Sequence, residues 1–151
     1  MTNIAHWIAS GGNIGRVSFA PGTVASLVAV LIGALALWID HRLLTLLAIA
    51  TCLAGIWAVH ETGEPGDPGW IVVDEFAGQW IAMIGLGRVS LYGLIAAFVL
   101  FRFFDIAKLG TVGWADRKDG AIGVMADDVV AGLIVAAILF VVTNLFPSVI
   151  P

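Results

Sequence analysis

Three short runs of this chain combine carboxylates with spacings that bring side chains together. Ile71-Val72-Val73-Asp74-Glu75-Phe76-Ala77-Gly78 sets two adjacent acids where an apolar stretch begins. Gly78 follows Asp74 by four and so shares its side of a helix. In Arg102-Phe103-Phe104-Asp105-Ile106-Ala107-Lys108, steps of three align Arg102, Asp105 and Lys108 along one helical face. Met125-Ala126-Asp127-Asp128-Val129-Val130-Ala131-Gly132 echoes the first run: two acids open an apolar tract, and Asp128 leads Gly132 by four. Each run also has a purely structural reading. An acid stabilises a helix start, and Arg102 and Lys108 could snorkel or pair with Asp105. One acid suffices for a cap, so the paired acids exceed that need.

Five carboxylates gathered at one place repel each other unless a cation compensates them. A hard divalent ion does so, and Mg²⁺ favours carboxylates, water and phosphate oxygens. Such an ion neutralises phosphate charge and lowers the pKa of an attacking water. The expected chemistry is metal-assisted attack of water on a phosphate group. Asp74, Glu75, Asp105, Asp127 and Asp128 form the catalytic and metal-ligating set; Arg102 and Lys108 hold phosphate. Attack by water oriented by a carboxylate is preferred to a covalent phospho-aspartate. Two further groups are assigned to substrate binding. In Ala20-Pro21-Gly22-Thr23, Thr23 either caps a helix or lies beside backbone N–H groups that receive an anion. His60 ends an apolar tract as an acid–base group or as a solvated terminal residue. Asp67 reads as a turn residue or an outer ligand, and Asp116 to Asp119 as a solvated loop. No Cys-x₅-Arg loop or P-loop is present, which argues against thiol phosphatase chemistry and a nucleotide-driven pump.

The elements that must position these groups follow from composition. The chain has 151 residues, 60% hydrophobic and only 12% charged, and a soluble domain carries about twice that charge. Its length suits one domain over 1–151. A net charge of −4 without a basic stripe makes nucleic acid an improbable partner. The single cysteine, Cys52, excludes an internal disulfide. No basic start followed by an apolar run marks a cleavable leader. Residues 24–59 contain only Asp40 and Arg42 as charged groups, 76–101 only Arg88, and 129–151 none. Ionised groups avoid hydrocarbon, so the apolar tracts are expected to be membrane helices.

The expected fold is all-α, an integral membrane bundle of about five short helices: Val24–Ile39, Leu43–Val59, Phe76–Leu86, Val89–Phe101 and Val129–Phe146. Several fall short of the roughly 20 residues a perpendicular span needs. The stretch 76–101 is either one long helix or a hairpin, and Gly85-Leu86-Gly87-Arg88 favours the turn. With a hairpin, the three charge-rich segments share one face. Arg16, Arg102, Lys108, Arg117 and Lys118 lie there, against Arg42 and Arg88 opposite. The positive-inside rule then places the charge-rich face in the cytoplasm. Two other readings stay open: a small cation transporter, and a non-catalytic membrane subunit.

Taken together, Phe19-Ala20-Pro21-Gly22-Thr23-Val24-Ala25-Ser26 and the three acidic runs, the last extended to Gly123, resemble the phosphatidylglycerophosphatase A family from about residue 9 to 147. The resemblance implies a bacterial inner-membrane, multi-pass enzyme. Its reaction would be Mg²⁺-dependent hydrolysis of phosphatidylglycerophosphate to phosphatidylglycerol and phosphate, with the same five acids as its site. The family often has proline after the lysine of the third motif, where this chain has Leu109-Gly110. Oligomeric state is left open.

Overall fold

Each of the five apolar tracts forms a helix, and two shorter helices accompany them, in the computed structural model, which describes residues 2–117 and 119–146. Lys118 and the closing segment 147–151 lie outside the described residues. The helices are α1 (Thr2–Ala9), α2 (Pro21–Ile39), α3 (His41–Thr62), α4 (Val73–Ile84), α5 (Leu91–Ala107), α6 (Thr111–Asp116) and α7 (Gly120–Leu145). A single 3₁₀ turn, Ile14–Arg16, precedes α2. Among the described residues there is no strand. The expected count of five thus becomes seven among the described residues. The two additions, of 8 and 6 residues, fall in the segments outside the five apolar tracts, where tertiary packing stabilises a turn or two.

Local chemistry explains the boundaries. Pro21 sits in the first turn of α2, where its missing N–H costs nothing. Asp40 separates α2 from α3, and its carboxylate accepts the Arg42 N–H at 2.7 Å. Gly63, at φ 68°, closes α3 in the left-handed conformation that glycine adopts without strain. Ser90 starts α5 by accepting the Gly93 N–H at 3.1 Å. Because α4 stops at Ile84 and α5 begins at Leu91, the stretch 76–101 is a hairpin, as the paired glycines predict.

Helix α4 is the axis of the molecule. Its residues Phe76 to Met83 are all buried, and α2, α3, α5 and α7 surround it. At 12 residues it is about 18 Å long, well under the roughly 30 Å hydrocarbon thickness. Its most extensive partner is α7. A Cβ on Gly132 would meet the Gly78 carbonyl oxygen at 2.4 Å, and one on Gly78 would meet that of Asp128 at 2.6 Å. Further along, a Cβ on Gly85 would meet Ala136 O at 2.2 Å. The contacts advance together along both helices, so α4 and α7 run parallel with their N-termini at one end. Helices α2, α3 and α7 are long and apolar enough to cross a membrane. Leu31, Trp38, Leu46, Leu53, Leu133 and Phe140 stand exposed on the outside, an apolar surface suited to lipid rather than water.

Candidate active site

The acids separated by up to 54 positions meet at the end of the bundle where α4 and α7 begin and α5 ends. One carboxylate oxygen from each of Asp74, Glu75 and Asp128 lies within 4.8 Å of the others. The same holds for Asp105, Asp127 and Asp128. Asp74 and Asp127 are 5% exposed and Asp128 2%, so these are interior acids and not a solvated rim. Their depth differs from expectation. Asp127 and Asp128 do not open α7, which begins at Gly120; Asp128 stands eight residues, about 12 Å, inside it. The small and apolar residues 120–126 extend the helix upstream, so capping cannot account for this pair. Asp74 and Glu75 do occupy the first turn of α4, and Asp74 Oδ1 accepts the Glu75 N–H at 3.1 Å.

The two cations belong to the same cluster. Arg102 forms a close ion pair with Asp105 and stands 3.9 Å from Glu75, joining α5 to α4. Lys108 follows α5 in a left-handed conformation, φ 47°, which is strained for a residue with a Cβ. Its ammonium lies 2.5 Å from both Asp116 and Asp127, tying α5, α6 and α7 together. Burial disfavours its charge, but the bonds to Asp116 and Asp127 outweigh this and hold the ammonium protonated above its usual range. Asp116, expected in a solvated loop, is therefore a partner of Lys108. Asp67 faces the cluster from the 63–70 loop. Desolvation, and then the Glu75 and Asp127 charges, push its carboxyl up to about 6.

The first turn of α2 reaches the site at Gly22. A Cβ on Gly22 would meet Glu75 Oε1 at 2.1 Å and Arg102 Nη1 at 3.4 Å, so only glycine lets the helix approach this pair. Thr23 is half-buried beside it, while the Ser26 hydroxyl donates to the Gly22 carbonyl at 2.9 Å. His60 is exposed at the end of α3 and belongs to neither acidic group. Sequence reasoning passed over Gly22 as a separate residue and missed Gln79. Gln79 is fully buried, one turn beyond Glu75 on the same helix face, and neither amide atom has a partner. A glutamine inside an apolar helix was the available signal.

The donor set suits a hard cation. It consists of oxygen ligands, and Asp128 Oδ1 and Glu75 Oε2 are buried without a hydrogen-bond partner. Buried polar atoms are normally satisfied, and unpaired buried charge is costly. A polar cavity of about 390 Å³, lined by Glu64, Asp67, Asp116, Asp119 and Asp127, opens beside the cluster. An apolar groove of about 440 Å³, lined by Trp7, Ile8, Ile32, Phe76 and Trp80, borders the same end of α4 through Val73.

An all-helical bundle with three helices long and apolar enough to cross a membrane, and with a buried acidic centre, suits a membrane-embedded enzyme. The family model of phosphatidylglycerophosphatase A matches residues 7–143. The chain belongs to that enzyme family. It is 34% identical to phosphatidylglycerophosphatase A of Escherichia coli (strain K12) over 151 residues, covering 97% of this chain and 88% of the relative. Against the Haemophilus influenzae protein of the same name, identity is 34% over 147 residues, 94% of this chain and 90% of the relative. A Bacteroides thetaiotaomicron protein named putative phosphatidylinositol-3-phosphatase is 38% identical over 143 residues, 83% of this chain and 85% of its own length. No solved structure matches.

Proposed function

We propose that this chain hydrolyses the phosphomonoester of phosphatidylglycerophosphate, releasing phosphatidylglycerol and phosphate. The observation that carries this reading is the convergence of acids from α4, α5 and α7 on one buried centre, in a chain of this family. Asp74, Glu75, Asp105, Asp127 and Asp128 are assigned as its ligands to Mg²⁺. When bound, the ion supplies charge neutralisation of the phosphate and a more acidic water.

The protein's own groups supply the rest. Arg102 retains a buried Nε without a partner, and this N–H is assigned to a phosphate oxygen. Lys108 holds Asp127 in place and adds positive charge beside it. A carboxylate of the set orients water in line with the bond to be broken. The water oxygen bonds to phosphorus as the phosphorus–oxygen bond to glycerol breaks. The water's proton passes to the carboxylate, and the departing glycerol oxygen takes a proton from a second water on its own side of the phosphorus. Burial of the acids excludes bulk water and strengthens each of these interactions. The apolar groove beside Val73 is assigned to an acyl chain, which keeps the lipid in the bilayer while its headgroup reaches the centre. The excess of basic residues on this face supports a multi-pass location in the bacterial inner membrane, with the site facing the cytoplasm.

Phosphate release by purified protein in detergent tests the reading. Phosphatidylglycerophosphate with Mg²⁺ should give multiple turnovers, and chelation should abolish them. Faster release from phosphatidylinositol 3-phosphate than from phosphatidylglycerophosphate would reassign the substrate and leave the chemistry standing. Release that persists undiminished under chelation would overturn the metal assignment.

A further inference from the structure

The acidic centre divides into two halves that share a single residue. Resting on the reading above that it holds a hard divalent cation, we propose that it holds two, bridged by Asp128. The first half is Asp74, Glu75 and Asp128, which joins α4 to α7. The second is Asp105, Asp127 and Asp128, which joins α5 to α7. In each half the donor oxygens lie within 4.8 Å of one another, and Asp128 is the only common member.

Independent of that clustering, Asp128 has an oxygen with nothing to bind. The residue is 2% exposed and its Oδ1 has no hydrogen-bond partner. A carboxylate offers two oxygens with about four lone-pair sites, enough to serve two ions at once. Glu75 Oε2, in the first half, is likewise buried and unpartnered. The second half is better neutralised, since Arg102 pairs with Asp105 and Lys108 with Asp127. A weaker second ion is therefore expected there.

Charge balance points the same way. Five carboxylates face two cations, and Lys108 is also shared with Asp116. One divalent ion leaves this centre net negative, a sign that repels a phosphate dianion. Two ions nearly cancel it: the five acids with Arg102 and Lys108 come to +1, and Asp116 and Asp67 at the rim bring this to −1. Enzymes that displace phosphate esters with two ions generally hold them about 3.5–4 Å apart, clamping the attacking and leaving oxygens.

Mn²⁺ serves as the probe, because it can be counted by titration calorimetry and seen by electron paramagnetic resonance without turnover. Full-length metal-free protein in detergent should bind two Mn²⁺ per chain and give a spin-coupled spectrum. Asp105→Asn should leave one tight ion with an uncoupled spectrum. Asp128→Asn should abolish the coupling and weaken both sites at least tenfold, with helical circular dichroism reporting that the variant is folded. One Mn²⁺ per wild-type chain would overturn the second site while leaving the single-cation reading intact. Two ions without coupling would overturn the bridge. No bound Mn²⁺ would instead remove the cation reading itself.

Discussion

The two ends of the bundle use similar polar residues and treat them differently. At the end formed by Asp40–Arg42 and 85–90, polar side chains pair with backbone groups of the helix ends. Asp40 caps α3, Ser90 caps α5, His41 Nε2 donates to the Ile84 carbonyl at 2.9 Å, and the Thr143 hydroxyl donates to Phe140 O at 3.2 Å. At the other end Glu75 Oε2, Asp128 Oδ1 and both amide atoms of Gln79 are buried and unsatisfied. An end that only closes helices is self-sufficient. Unsatisfied groups are kept where something outside the chain completes them, because leaving them bare costs about 1–3 kcal/mol each.

Substitutions at the two ends should separate accordingly. Asp128→Asn should reduce phosphate release on the order of a thousandfold or more, while melting temperature holds or rises as a buried charge is removed. Gly22→Ala places a methyl where Glu75 Oε1 sits and should cost roughly a hundredfold in kcat/KM, since such displacements spoil alignment. Gln79→Met should hold or raise the melting temperature, because it removes an unsatisfied buried amide. At the opposite end Asp40→Ala should cost about 1 kcal/mol in unfolding free energy and leave turnover unchanged. A large activity loss there would blur the contrast.

The smallest effect concerns pH. The Asp67 carboxyl rises from 3.8 to about 6 in the folded chain, so the folded state holds this proton more tightly than the unfolded one. Its contribution to stability is full below about pH 4 and is lost as the pH climbs through about 6. Metal-free protein should therefore melt at lower temperature at pH 7 than at pH 4.5, and Asp67→Asn should flatten part of that slope.

Much of this was legible in the chain because charge and hydrocarbon exclude each other. Segregated acids marked one face, and the Gly85–Arg88 punctuation marked the hairpin that brings Asp105 back to Asp74. The matched spacing of Asp74 to Gly78 and Asp128 to Gly132 had a meaning that helix-start chemistry obscured. The two glycines form the parallel crossing of α4 and α7, which carries both acids to the same depth. Helix boundaries were less legible. Residues 120–126 lack the strong periodicity that announces a helix, so Asp127 and Asp128 looked terminal when they lie inside α7. Gly22 escaped notice because its importance lies in the missing side chain, which only the approach of Glu75 reveals. His60 is exposed on the last turn of α3.

Whether acids from different helices act as one unit is best tested by a double-mutant cycle on phosphate release, using Glu75→Gln on α4 and Asp128→Asn on α7. A shared centre predicts that the double variant falls no further than the worse single one, since either change already disables the unit. Losses that multiply across the two sites would contradict a common centre.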